Sequence, residues 1–256
     1  MLEKALPAAA RLSTRDYLIT AVNLGIAYRV SGRLHDAQLV MSRALRVPGA
    51  GTLPEALSAR SELAALEALL GRRKAAGALF YEVLAEQTSR MGPTSRATLS
   101  TLSSLIEFSM VWKRYEEAEK LTLRYLEDNA KARLPSHPSN AFGHYYLAIL
   151  DARRKRYPEA SEGLRRALEI LEASVGRRSP SVAVVLNVFA SLEIKRRRLE
   201  AALELSREAV SICEEALGPR HRETGIMLST YAEIQSRLRY RDEARQNRAK
   251  AAAIAN

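Results

Sequence analysis

Cysteine is almost absent from this chain of 256 residues, which contains only Cys213. A single cysteine cannot form an internal disulfide or supply the ligands of a cysteine-based zinc site, and we expect it to be an inert buried side chain. Glycine and proline are also few, at 12 and 9 residues, so the sequence lacks the frequent turns of a sheet-rich fold. Alanine, leucine, glutamate and arginine are abundant instead, which predicts a helical protein.

Long apolar runs are also missing, since none reaches the roughly 20 residues that a membrane-spanning helix needs. The first residues, MLEKALPAAARL, place one lysine before a short alanine-rich run and match a secretory signal poorly. We therefore expect a cytoplasmic protein, or a periplasmic or secreted one if a signal peptide has been removed from the chain.

Negative charge is scarce relative to positive charge. Forty Lys and Arg residues face 29 Asp and Glu residues, which leaves a net charge of +11. Such an excess favours acidic partners, nucleic acid or anionic membrane surfaces. Arg-rich proteomes also produce basic proteins that have no such partner, so the charge by itself leaves the partner open.

An internal repeat is the main positive feature. The stretches RRALEILEASVG (165–176) and REAVSICEEALG (207–218) lie 42 residues apart. Residues at equivalent positions of successive copies form a column, and six alanines form the clearest one: Ala37, Ala76, Ala118, Ala160, Ala202 and Ala244. Their first spacing is 39 residues and the other four are 42. In most copies a further small or modest-sized residue comes seven positions later and another twelve positions earlier.

Each copy predicts two helices that pack on each other. Apolar residues recur at spacings of three, four and seven in two stripes, and a short break rich in Arg and Lys, in places with Gly32 or Gly71, separates them. The second helix ends at a glycine such as Gly176 or Gly218. One pair cannot bury both of its apolar faces, so successive pairs must stack.

The small-residue spacing resembles the tetratricopeptide repeat, and the 42-residue period resembles the variety found in kinesin light chains. The linkers GRRSPSV and LPSHPSN are similar to the Gly-x-x-His-Pro joint of that variety, although Ser179 replaces His in one and Leu134 replaces Gly in the other. The resemblance implies an all-α fold, a right-handed α-solenoid of about six helix-turn-helix repeats. We expect a single domain over 14–256, after a capping helix or the remnant of a preceding repeat in 1–13. The approximate repeats are 14–53, 54–94, 95–136, 137–178, 179–220 and 221–256.

Residues suited to catalysis do not form a recognisable set. We find no Gly-rich phosphate loop, nucleophile elbow or HExxH motif, so we expect neither an enzyme nor a metal or other cofactor. His137 and His221 lie in joints between repeats, where we expect structural roles. His144 lies on a first helix without Cys, Asp or Glu at ligand spacing, and we expect it in the core or along a groove.

Binding of another protein or peptide is the function that the resemblance implies, because first helices line the concave groove in such repeats. First-helix residues just outside the packing stripe are the predicted groove residues: Met110, Phe142, Tyr145, Ile149, Asn187, Ser191 and Ile194. Aromatic residues are common at interface hot spots, so Phe142 and Tyr145 are the predicted anchors. An alternative is that Tyr145 and Tyr146 only pack against adjacent repeats.

Basic residues recur at the end of the first helices in the last three copies. The predicted basic edge consists of Arg153, Arg154, Lys195, Arg196 and Arg237. We expect it to border the groove and attract an acidic segment. The alternative is that these cations only offset the helix dipole, at about 0.3–1 kcal/mol each.

Two further functions stay open beside a non-catalytic scaffold that binds a peptide. One is a regulatory or sensor module of a larger signalling protein, and the other is nucleic-acid or anionic-surface binding through the basic edge. The salt dependence of binding separates nucleic acid from an apolar peptide, because nucleic-acid affinity falls by orders of magnitude between about 50 and 200 mM salt.

Overall fold

A computed structural model of the protein describes residues 13–132 and 138–255. Within these ranges the chain forms twelve α-helices, one short 3₁₀ turn (Ala50–Thr52) and no strand. The first six helices are α1 Thr14–Val30, α2 Leu34–Leu45, α3 Pro54–Leu69, α4 Arg73–Met91, α5 Arg96–Val111 and α6 Tyr115–Ala132. The other six are α7 Pro138–Arg153, α8 Tyr157–Val175, α9 Pro180–Lys195, α10 Leu199–Leu217, α11 Arg222–Arg237 and α12 Arg241–Ala255. The predicted all-α architecture of about six helix pairs is confirmed.

The helices form two compact units, which we describe separately. Unit 1 contains α1 to α6 and unit 2 contains α7 to α12. Each unit therefore has three helix pairs, which we number as repeats 1 to 3 and 4 to 6. The predicted single domain over 14–256 stays a prediction. The predicted capping helix or remnant falls on 1–13, of which 1–12 lie outside the described residues.

The same contact pattern recurs inside both units. The two helices of a repeat pack against each other, the second helix then contacts the first helix of the next repeat, and the first helices contact one another. The first helices of a unit therefore lie side by side and form a continuous layer. The second helices α4 and α6 contact each other through side chains, as where Arg124 donates to the hydroxyl of Thr88 at 3.4 Å.

The small residues of the repeat bring the helices close together. All six alanines of the column from Ala37 to Ala244 are buried. The helices α7 and α8 approach closely, since a Cβ added to Gly163 would lie 3.1 Å from the Cβ of Ala148 and 3.2 Å from the carbonyl oxygen of His144. Interiors of this density leave no room for an extra methylene group, so the column has to stay small.

The turn between the two helices of a repeat always contains one residue with positive φ. The turn column consists of Gly32, Gly71, Lys113, Lys155, Arg197 and Arg239, with φ between 59° and 78°. The next residue donates its backbone N–H to the carbonyl oxygen five positions earlier, as Arg198 does to Glu193 at 2.9 Å. This bond belongs to the Schellman motif, which ends a helix through a left-handed residue.

Some of the positive charge in these turns has a structural role. In three repeats the arginine after the turn column forms an ion pair with the acidic residue whose carbonyl accepts that bond. The pairs are Arg72–Glu67 at 3.2 Å, Arg156–Asp151 at 2.5 Å and Arg198–Glu193 at 3.9 Å. Glu193 is only 4% exposed, so its carboxylate needs a cationic partner.

The joints between repeats use glycine in a different backbone region. Gly92, Gly176 and Gly218 have φ of 83°, 84° and 94° with ψ of 161°, 153° and 160°. Side chains are almost never found in this region, whereas the left-handed region of the turn column tolerates them. This difference explains why the turn column accepts Lys and Arg while these three joints keep glycine. Leu134, which follows Gly92 by 42 residues, lies outside the described residues.

Candidate peptide-binding face

The first helices of unit 2 share one stripe of accessible positions. In α11 this stripe contains the exposed residues Ile226, Ser229, Glu233 and Ser236. The equivalent residues are Phe142, Tyr145, Ile149 and Ala152 in α7, and Val184, Asn187, Ser191 and Ile194 in α9. Their spacing of three, four and three keeps them on one side of an α-helix. We call this surface the first-helix face of unit 2, and it contains six of the seven predicted groove residues.

Phe142 is the most accessible of the three predicted groove residues on α7. Its side chain is 38% exposed, whereas Tyr145 and Ile149 are half-buried. The ring of Tyr145 packs edge-on against Tyr146 with centroids 5.3 Å apart, and Tyr145 also contacts the core of unit 2. Much of the Tyr145 side chain therefore packs against neighbouring residues, which is the alternative that the sequence left open.

Phe142 begins an apolar column that crosses unit 2. Val184 and Ile226 follow it at intervals of 42 residues; Ile226 is 40% exposed, whereas Val184 is half-buried against the core of unit 2. Single exposed apolar residues are ordinary on protein surfaces, but a row of them on neighbouring helices is not. The Phe142 column is therefore an accessible apolar strip along the first-helix face.

The three predicted groove residues on α9 have different environments. Asn187 is half-buried, and its Oδ1 is buried without a hydrogen-bond donor among the described residues. The Ser191 hydroxyl donates to the carbonyl oxygen of Asn187 at 3.0 Å, so it is used within the helix. Ile194 packs partly against Ala190, Ala202, Leu203 and Ile234.

Met110 is the one predicted groove residue of unit 1, where it is half-buried on α5. Unit 1 also contains an open cavity of about 320 Å³, lined by its three first helices and by Phe80 of α4, that the sequence did not predict. Its lining includes Arg29, Glu62, Leu69, Glu107, Phe108, Val111 and Trp112. A cavity of this size fits one large side chain of a ligand.

A second apolar column leads to this cavity in unit 1. Val30, Leu69 and Val111 end the first helices of repeats 1 to 3 and are 78%, 57% and 73% exposed. The equivalent residues of repeats 4 to 6 are Arg153, Lys195 and Arg237. The sequence signal for the unit 1 cavity was therefore the change from apolar residues in repeats 1 to 3 to cations in repeats 4 to 6 at this position.

The predicted basic edge divides into structural and accessible cations. Arg196 is half-buried and binds Glu193 at 2.7 Å and the Ser161 hydroxyl at 3.0 Å, so it holds α9 against α8. Arg237 is exposed and pairs with Glu233 at 2.8 Å on its own helix. Arg153, Arg154 and Lys195 are exposed. The structure thus places all five at the turn edge of unit 2, but it assigns Arg196 to packing.

Comparison with known proteins follows this geometry. Residues 140–213, which extend from α7 to α10, match the family model of the tetratricopeptide repeat. This segment therefore resembles tetratricopeptide repeats (TPR). None of the curated proteins matches the chain.

Solved TPR structures share the fold of the whole chain. A TPR protein from Parabacteroides merdae is 18% identical with a TM-score of 0.68, and the match covers 99% of this chain and 86% of that one. BtubC (BKLC) from P. vanneervenii is 18% identical with a TM-score of 0.66, with 99% and 91% covered. TPR-like repeats of a putative kinesin light chain from Podosopora anserina are 23% identical with a TM-score of 0.61, with 77% and 93% covered. At these identities the likeness shows the fold.

TPR folds generally mediate protein–protein interactions and are generally non-catalytic, because stacked helices provide extended surfaces without convergent reactive groups. In residues 13–132 and 138–255, no group of three or more His, Cys, Asp or Glu side chains is arranged to hold a metal ion. No helix in the same ranges is long and apolar enough to cross a bilayer. The buried Cys213 has a raised thiol pKa because burial disfavours the thiolate.

The histidines have local roles where the structure describes them. His221 caps α11, since its Nδ1 accepts the backbone N–H of Glu223 at 3.2 Å. His144 is half-buried on α7, and burial, followed by the charge of Arg166, lowers its pKa below the ordinary value of 6.5. His137 lies outside the described residues.

The lowered pKa of His144 predicts acid sensitivity of unit 2. Below pH 6.5 the unfolded chain takes up the proton before the folded chain does, so the free energy of unfolding decreases as the pH falls. We expect His144→Gln to flatten this dependence in thermal melts recorded between about pH 5 and 8. The control is the same substitution at an exposed position of α2, His35→Gln. Equal slopes for the wild type and His144→Gln would contradict the prediction.

Proposed function

We propose that this protein is a scaffold that binds an extended peptide segment of a partner protein on the first-helix face of unit 2. The observation that carries the proposal is the Phe142 column, in which Phe142 and Ile226 are exposed on either side of the half-buried Val184. Burial of apolar surface is the main favourable term in such associations, and accessible aromatic residues are frequent anchors. The helices are already folded, so the receptor loses little conformational entropy on binding.

The unit 1 cavity provides a second anchor point in the same proposal. Leu69, Val111 and Trp112 form its apolar wall, while Glu62, with Arg29 at 3.4 Å, supplies polar groups. A large apolar side chain of the ligand would enter there. Trp112 is the single tryptophan of the chain, so its fluorescence reports on this cavity alone.

The test begins with selection of peptides from a random library against the whole chain. The double variant Phe142→Ser/Ile226→Ser should bind the selected peptides at least tenfold more weakly than the wild type. Truncating a hot-spot residue costs about 1–2 kcal/mol or more of binding free energy. The control is Leu123→Ser/Val175→Ser, which removes two exposed apolar side chains from the second helices α6 and α8. The control should change the dissociation constant by less than about twofold. Similar losses in the two variants would overturn the proposal.

Trp112 fluorescence then assigns each peptide to a unit. A peptide that enters the unit 1 cavity should shift the emission of Trp112, and Val111→Arg, which introduces the residue type of the equivalent position in repeats 4 and 6, should abolish that shift. A peptide held only by the Phe142 column should leave the emission unchanged and should be insensitive to Val111→Arg. Tight peptides that respond to neither set of variants would contradict both anchor points.

A further inference from the structure

Four exposed cations lie at the turn edge of unit 2. Lys155, Arg197 and Arg239 occupy the turn column, and Lys195 ends α9. All four are exposed, and their side chains form no hydrogen bond or ion pair with the described residues. They differ in this respect from Arg156 and Arg198, which pair with Asp151 and Glu193.

The backbone of the turn column favours glycine over these side chains. A left-handed conformation is strained for an L-residue relative to its ordinary regions, and glycine avoids most of that strain. Gly32 and Gly71 fill the column in repeats 1 and 2, whereas repeats 3 to 6 use Lys or Arg. Compensation of the helix dipole does not require them, because Arg153, Lys195 and Arg237 already place a cation in the last turn of each first helix. The side chains therefore indicate a role outside the fold.

We propose that Lys155, Arg197 and Arg239, supported by Lys195, bind an extended acidic segment of a partner protein along the turn edge of unit 2. The first helices of this unit contact one another, and packed helices have axes about 8–10 Å apart, so we expect a similar distance between successive turns. An extended chain advances about 3.3 Å per residue. A segment with an acidic residue at about every third position therefore places one carboxylate at each turn.

Acidic residues beside the turns favour a peptide over nucleic acid. Exposed carboxylates begin each second helix of unit 2: Glu159, Glu200, Asp242 and Glu243. They divide the positive surface into one cationic group per repeat. A phosphate backbone carries charge continuously, so the carboxylates between the cationic groups repel it. A peptide can place neutral residues beside these carboxylates.

This surface is separate from the Phe142 column. Arg153 follows Phe142 by eleven residues on α7, which corresponds to about 16 Å along the helix. The acidic-segment proposal therefore goes beyond the proposed function, and each can fail while the other stands. Variants of the Phe142 column test the first surface, and variants of the turn column test the second.

The experiment uses the full chain and a dye-labelled peptide of five Glu-Ser-Gly triplets at low ionic strength. The triple variant Lys155→Gly/Arg197→Gly/Arg239→Gly should weaken binding of this probe about tenfold, because three exposed ion pairs, each weak by itself, are lost together. Glycine keeps the left-handed turn available, so the variant should melt at the same or a higher temperature than the wild type. Loss of binding by unfolding is thereby distinguished from loss of contacts.

Matched controls make the outcome decisive. Arg222→Ser/Arg245→Ala/Lys250→Ala removes three exposed cations outside the turns and should change the affinity by less than about twofold. A Lys-Ser-Gly peptide should not bind, and a peptide of equal composition with its five glutamates adjacent should bind more weakly than the triplet probe. Equal losses in the two triple variants would overturn the proposal. Tighter binding of a fifteen-nucleotide single strand than of the triplet probe would also overturn it, in favour of nucleic acid.

Discussion

Leucine in place of Ala202 is expected to lower the free energy of unfolding of unit 2 by about 1–3 kcal/mol or more. Ala202 is fully buried at the start of α10, in a cluster with Ala190 and Ile234 from the neighbouring first helices. A larger side chain must displace one of these helices, because the interface has no free volume. Chemical denaturation followed by circular dichroism measures the loss.

Ala201 provides the matched control, since it is the preceding residue on α10 and is exposed. Ala201→Leu should change the free energy of unfolding by less than about 0.5 kcal/mol. The comparison keeps the chemical change and the helix constant and varies only the side of the helix. If the two variants have equal stability, the inference that the small-residue column is closely packed is wrong.

Alanine in place of Gly176 is expected to destabilise unit 2 by about 1–3 kcal/mol. Gly176 has φ of 84° and ψ of 153°, a region that is essentially restricted to glycine. An added Cβ would meet no atom within 4 Å, so the expected cost comes from the backbone conformation and not from a clash. Thermal melting of the variant measures the loss.

Gly71→Ala is the comparison for this prediction. Gly71 belongs to the turn column, with φ of 76°, and an added Cβ there also meets nothing within 4 Å. Because Lys and Arg occupy the same column in other repeats, we expect the smaller loss of about 1 kcal/mol. A greater loss at position 71 than at position 176 would show that the two glycine positions have been interpreted the wrong way round.

Much of the fold was predictable because the repeat allows each position to be compared over six copies, which shows whether a small residue there is a general feature of the helix pair. The positions of Ala118, Ala160 and Ala202 predicted buried close contacts, and all three are buried. A single helix pair would not have supported that inference, since alanine is common on exposed helix surfaces as well. The Gly-ended second helices were predicted for the same reason, from Gly176 and Gly218 in equivalent positions.

The binding surfaces were less predictable because exposure depends on several helices at once. The helical period placed Phe142 and Tyr145 on one face, but only packing decided that Phe142 is exposed while Tyr145 rests on Tyr146. The basic edge was predicted from its period, yet the use of Arg196 to hold the buried Glu193 follows from the environment of that carboxylate. The unit 1 cavity has residues from four helices in its lining.

The sequence by itself determined the helix-pair repeat. Small and large apolar residues recur every 42 residues, and one helix pair can bury these apolar faces only by stacking on the next pair. Tertiary structure alone decided which cations are accessible. Lys155 and Arg198 look alike in the sequence, but one occupies the left-handed turn and projects into solvent, while the other contacts the carboxylate of Glu193. The physical reason is that charge has a structural role only where packing removes its partner from water, and that burial is a property of the assembled helices.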